Sequence, residues 1–139
     1  VSDAAIKQMI EAGQAPKKSK VVILGLTFKE NCSDTRNSKV DDIIKRLNTY
    51  GLTPTVIDPW ANQCDAMHEY SVKLSPMTEA KDADCVIVAV AHKEFVEMSL
   101  DDIKSMYKDK ADNEKVLLDV KGIYKIDELK KSGLRFWRL

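Results

Sequence analysis

The sequence has no net charge, few cysteines, no long apolar run and no glycine-rich phosphate fingerprint, and each absence removes a class of function. Lys+Arg and Asp+Glu stand at 22 each although charged residues make up 32% of the chain. No long-range field therefore favours nucleic acid or an anionic membrane, and any anion must be gripped locally. Cys32, Cys64 and Cys85 are odd in number, widely spaced and free of CxxC pairing. That pattern fits reduced thiols, and predicts neither a disulfide frame nor a metal site. The apolar runs are strand-length, far short of the roughly 20 residues that span a bilayer, and the amino end has no secretory-leader pattern. A cytoplasmic protein with no membrane partner is the expectation. The 139 residues suit one domain, without internal repeat or low-complexity segment.

Strands and helices alternate along the chain. Residues 2–11 place Ala5, Ile6, Met9 and Ile10 on one helical face, which Gly13 and Pro16 end; Lys17, Lys18 and Lys20 form a solvated lead-in. A β-branched run at 20–25 feeds a polar loop and then an amphipathic helix. Ser38 or Asn37 is its candidate cap, Asp41 and Asp42 lie in its first turn, and Val40, Ile43, Ile44 and Leu47 form its stripe. Residues 53–57 make a second strand, so strand, helix and strand have the spacing of a right-handed parallel crossover. A helix at 61–70, a weak strand at 71–74 and a short helix at 76–81 follow. Residues 85–91 are the most apolar segment, as a central strand buried on both faces should be. A helix at 100–107, a strand at 115–119, a helix at 126–131 and an edge strand at 134–139 complete the series. The predicted fold is α/β: a Rossmann-like, doubly wound, mainly parallel sheet of five or six strands with helices on both faces.

In such a sheet ligands sit beyond the carboxyl ends of the strands, where helix amino ends offer free N–H groups to anions. Three polar clusters fall there: 27–36, 91–95 and 119–122. Gly25 stands alone, so the close approach of backbone to a dinucleotide pyrophosphate is not encoded, which argues against a self-sufficient NAD site. Asp58 is either a ribose-binding acid or, more in keeping with the missing glycines, a turn former before Pro59. Lys29 and Arg36 suit an anionic ligand as a point charge and a planar fork, or else pair with Glu30 and Asp34 at the surface. Phe28 is either core or a lid for a ring. His92 has the chemistry of a general base but no nucleophile or second acid beside it, so a structural role is favoured. Nothing marks Cys32 as activated.

The stretch Gly25-Leu26-Thr27-Phe28-Lys29-Glu30-Asn31-Cys32-Ser33-Asp34-Thr35-Arg36-Asn37-Ser38 resembles the opening of the carboxyl-terminal, nucleotide-sugar-binding domain of the UDP-glucose/GDP-mannose dehydrogenase family. That family's loop runs Gly-x-x-Phe/Tyr-Lys, then Asp-x-Arg and a small hydroxyl residue. Asp58-Pro59, Ala91-His92-Lys93-Glu94-Phe95 and Asp119-Val120-Lys121-Gly122 match in order as well, so the resemblance covers the chain from Lys20 onward. The Asn31-Cys32 loop and the 91–95 segment look most like bacterial members acting on UDP-N-acetylhexosamines.

The resemblance implies oxidation of a nucleotide-linked sugar's C6 hydroxyl to a carboxylate in two NAD-dependent steps, through a cysteine-bound thiohemiacetal and thioester. It implies substrate contacts for Phe28, Lys29 and Lys121, the last standing where many relatives carry arginine, and a contact between Arg36 and NAD. The catalytic cysteine, its helpers and the main NAD-binding domain belong to amino-terminal and central parts that this sequence does not contain, so no catalytic residue is assigned. Residues 1–16 resemble the end of the interdomain, dimerising helix and its linker, and 17–139 the nucleotide-sugar-binding domain. The chain is thus expected to be a fragment, inactive alone, whose partners are the UDP-sugar, the other domains of its enzyme and, when intact, a second copy. A different class of function, a stand-alone nucleotide-binding or protein-interaction module, is the alternative.

Overall fold

A computed structural model describes all 139 residues. Helix α1 (Ser2–Glu11) leads to β1 (Val21–Leu24), α2 (Val40–Thr49), β2 (Thr55–Ile57), α3 (Gln63–Tyr70), β3 (Cys85–Val88), α4 (Lys93–Val96), α5 (Leu100–Lys104), β4 (Val116–Asp119), α6 (Ile126–Ser132) and β5 (Arg135–Arg138). The five strands form one sheet in the order β2-β1-β3-β4-β5, every pair parallel. All five carboxyl ends therefore share one edge. The chain leaves β1 toward β2 on one side and returns to place β3 on the other, so the mouth between β1 and β3 is the topological switch point where such sheets take ligands.

Alternation of side chains across the sheet divides the core in two. Val21, Ile23, Cys85, Ile87, Val116 and Leu118 face α1 and α2. Val22, Leu24, Val86, Val88 and Leu117 face Phe95 of α4, Ile103 of α5 and Leu129 of α6. Every residue of β3 is fully buried, because helices cover both faces of a central parallel strand. Helix α1 packs on the first face through Ala5, Ile6 and Met9. Ile10, expected on that stripe, is 57% exposed, since the helix meets the sheet along a narrower line than its apolar spacing allows.

Several boundaries differ from the expected ones. Residues 71–74 form no strand; only Leu74 bridges Val56, which leaves β2 at the sheet's edge. Residues 77–79 make a single 3₁₀ turn, and α5 stops at Lys104. Helix α4 was not anticipated, being one turn long and too short to show a period. Neither Asn37 nor Ser38 is the cap residue of α2, which is Lys39. Ser38 instead donates to the Leu26 carbonyl and accepts the Val40 N–H, clamping the loop exit to its entrance. No helix is long and apolar enough to cross a membrane.

Candidate functional site

Loop 25–38 rises from β1 at the switch point. Its entrance needs glycine: Gly25 has φ +107°, and a Cβ there would lie 2.5 Å from Val90 Cβ and 2.9 Å from the Val90 nitrogen. The missing side chain lets the mouth of β1 close against the segment after β3, so it is not a cradle for a pyrophosphate. Asn31 and Asn37 take left-handed backbone, which asparagine tolerates better than most residues. The Phe28 N–H donates to the Asp34 carbonyl at 2.9 Å and closes the tip.

Two side-chain clusters hold this loop. At its near end stands Asp58, which ends β2 and accepts five hydrogen bonds: from the N–H groups of Leu26 (2.6 Å), Thr27 (3.0 Å), Trp60 (2.7 Å) and Ala61 (3.1 Å), and from His92 Nε2 (3.0 Å). Burial pushes its carboxyl pKa up, but the His92 bond and the backbone donors outweigh it and hold the group below the usual carboxylate value. No lone pair is left for a ribose, so Asp58 is a turn former that also staples β2 to the β1 loop. His92 is fully buried, stacks on Trp60, meets the Phe95 ring at a tilt, and accepts the Asn31 N–H on Nδ1 at 3.0 Å. Both ring nitrogens are occupied, and with no free lone pair it is no general base. At the far end Tyr70, closing α3, donates to the Thr35 carbonyl and accepts the Ser38 N–H at 3.0 Å.

The residues singled out as ligand contacts lie on the outside of this frame. Phe28 is 52% exposed, which excludes a core role. Lys29 and Lys121 are exposed and form no ion pair, so the surface pairing of Lys29 with Glu30 does not occur. Arg36 does pair with Asp34, Nε to Oδ1 at 3.0 Å and Nη2 to Oδ2 at 3.2 Å, yet its side chain is 77% exposed. Lys93 is a further exposed cation, 5.8 Å over the Trp60 ring, with its N–H bonded to Asn31 Oδ1 at 2.8 Å. Lys121 follows Asp119, a fully buried carboxylate that accepts the Ile123 and Tyr124 N–H groups at 3.0 Å each. With β3 between β1 and β4, the loops bearing Lys29 and Lys121 leave the sheet roughly 10 Å apart, two strand spacings.

None of Phe28, Lys29, Arg36 and Lys121 lines a main cavity. A cleft of about 300 Å³ is walled by Asp58, Pro59, Met77, Glu94 and Phe95 and by none of these four. The cations instead stand on an open edge. Cys85 is buried with its thiol pKa pushed well up by desolvation, and no group of side chains is arranged to ligate a metal. The sequence reading placed Thr27 and Asp119 in its polar clusters without giving either a role, and missed Tyr70. Asp119 carried a local signal, a carboxylate ending an apolar strand; Tyr70 carried none, being 35 residues from the carbonyl it holds.

Comparison with known proteins follows the same lines. The model of the UDP-glucose/GDP-mannose dehydrogenase family, UDP binding domain, matches residues 22–126. UDP-N-acetyl-D-glucosamine 6-dehydrogenase of Salmonella typhi is 41% identical over 123 residues, covering 87% of this chain and 28% of the relative. Protein CapL of Staphylococcus aureus is 40% identical over 139 residues, all of this chain and 31% of its own length. The chain thus spans less than a third of these relatives. In fold it resembles the NDP-N-acetyl-D-galactosaminuronic acid dehydrogenase of Methanosarcina mazei Go1, with a TM-score of 0.80 at 22% identity over 99% of this chain and 28% of that one.

Proposed function

The chain belongs to the UDP-glucose/GDP-mannose dehydrogenase family through its UDP-binding domain, and from that premise we propose that it is the carboxyl-terminal part of a nucleotide-sugar 6-dehydrogenase which holds the UDP-sugar. The observation that carries this reading is the unpaired state of Lys29 and Lys121 on one sheet edge, flanking the switch point. Two uncompensated ammonium groups at that separation suit a diphosphate, which each neutralises as a point charge. Phe28, exposed beside Lys29, covers a ring of the same ligand.

The reaction of the whole enzyme is oxidation of the sugar's C6 hydroxyl to a carboxylate, for which NAD supplies the hydride acceptor. This chain's residues do not fit a dinucleotide site of their own: Gly25 is closed by Val90, and Asp58 is saturated by five donors. The cofactor is held elsewhere, in parts that also supply the catalytic cysteine. Arg36, locked in direction by Asp34 and largely exposed, is this domain's contact to it. By itself the domain binds and does not oxidise. In the intact enzyme α1 continues toward the other domains and a second subunit, and the substrate is a UDP-N-acetylhexosamine.

Titration of the chain with UDP, followed by amide NMR, tests the binding. The expected result is shifts clustered in 25–38 and 119–123. Shifts there with NAD and none with UDP overturn the reading. In the intact enzyme Lys29→Ala is expected to raise the KM for the nucleotide sugar about tenfold, the loss of one charged hydrogen bond, and Arg36→Ala that for NAD.

A further inference from the structure

The buried cluster beneath Lys29 fixes the tautomer of His92, whose Nε2 hydrogen is shared between two acceptors. The Asn31 N–H points at His92 Nδ1, so that nitrogen carries the lone pair and Nε2 carries the hydrogen. Nε2 lies 3.0 Å from Asp58 Oδ2 and 3.1 Å from Thr27 Oγ1. The Thr27 hydroxyl donates its single proton to the Lys29 carbonyl at 3.0 Å. Asp58, His92 and Thr27 thus form one line of hydrogen bonds that ends on the backbone of Lys29. A branch from His92 holds Asn31, two residues further on. Phe28 and Lys29 are fixed from both sides while their side chains face solvent.

Packing alone does not call for this arrangement. Thr27 is 1% exposed and His92 0%, and an apolar residue of equal volume would fill either site without needing partners. The far end of the loop already has its own clamps, Tyr70 on Thr35 and Ser38 on Leu26. What the polar line adds is one backbone geometry for the segment carrying the ligand's cation. We propose that Thr27 and His92 are positioning residues that aim Phe28 and Lys29 at the diphosphate-linked ligand. This rests on Lys29 being a nucleotide-sugar contact.

The test uses the intact enzyme and compares Thr27→Val, Thr27→Ser, Lys29→Ala and the double variant Thr27→Val/Lys29→Ala. Thr27→Val keeps the shape and deletes the hydroxyl. It is expected to raise the KM for the nucleotide sugar about fivefold, the loss of one neutral hydrogen bond, and to change the KM for NAD less. Thr27→Ser, which keeps the hydroxyl, restores the KM to within about twofold of the parent. In the Lys29→Ala background Thr27→Val adds nothing further, because its effect passes through Lys29. Should Thr27→Val fail to fold, Thr27→Ala carries the same expectation: it removes the same bond to the Lys29 carbonyl without adding bulk. An unchanged KM in Thr27→Val, or an equal rise with and without Lys29, overturns the proposal. If Lys29→Ala raises the KM while Thr27→Val does not, this inference alone falls; if Lys29→Ala changes nothing, the binding role of Lys29 falls with it.

Discussion

Asp84 and Asp112 at one edge of the sheet and Asp58 and Asp119 at the other are used in opposite ways. At the amino edge Asp84, just before β3, accepts the Lys20 N–H at 2.8 Å and the ammonium groups of Lys108 and Lys110 at 2.7 Å each, while Asp112 takes Lys104 and Lys115. Lys104, Lys108, Lys110 and Lys115 at that edge are matched internally, whereas Lys17, Lys18 and Lys20 before β1 form no ion pair. At the carboxyl edge Asp58 and Asp119 accept backbone N–H groups and one histidine, and no lysine. Lys29, Lys93 and Lys121 form no ion pair. A chain of zero net charge thus keeps exposed, unpaired lysines at this edge while Asp58 and Asp119 are given to the backbone.

The strongest way to break this comparison is to disable one aspartate at each edge. Asp58→Asn keeps the shape but turns amide hydrogens toward buried donors, and is expected to cost about 3 kcal/mol in urea unfolding. Asp84→Asn should cost about 1 kcal/mol, because its lysines reach water once released. Equal losses would erase the distinction. Gly25→Ala comes next, at about 2 kcal/mol, from the positive φ together with the Val90 collision; a neutral result would mean that the mouth of β1 opens freely.

Acid should act on both edges. Burial pushes the Asp84 carboxyl up, but Lys108, Lys110 and the Lys20 N–H hold it below its ordinary value, as the partners of Asp58 do there. For a carboxylate depressed in the folded state, the stabilisation is fully present above the unfolded pKa of about 4 and is lost as pH falls through the lower folded value. Thermal stability is therefore expected to fall below about pH 4, less steeply in Asp84→Asn than in the parent. Identical slopes would show that Asp84 contributes nothing to the acid limb. The smallest expected effect is a gain: Lys121→Arg restores a planar fork and should lower the KM for the nucleotide sugar about threefold, whereas Lys108→Arg at the amino edge should leave it unchanged.

Much of the frame was legible because hydrophobic spacing is local. The runs 20–25, 53–57, 85–91, 115–119 and 134–139 each became a parallel strand, shortened at one or both ends. Loop 25–38 was legible by its polarity, and its family motif named Phe28, Lys29 and Arg36. The sequence left Phe28 open between core and lid, and Lys29 open between ligand and Glu30, since neither depends on neighbours in the chain. Residues 71–74 have strand composition but only one bridging partner, and Ile10 has core spacing but no surface to meet.

The residue pattern by itself determined an alternating α/β chain, the loop that leaves its first strand and the missing dinucleotide fingerprint, because periodicity and motif spacing are properties of short segments. Only the tertiary structure decided which charges are free. His92 meets Asp58 across 34 residues and Asn31 across 61 because the sheet order sets β1 between β2 and β3. That order fixes which carboxylates are taken by backbone N–H groups, and so which charges at the carboxyl edge have no partner within the chain.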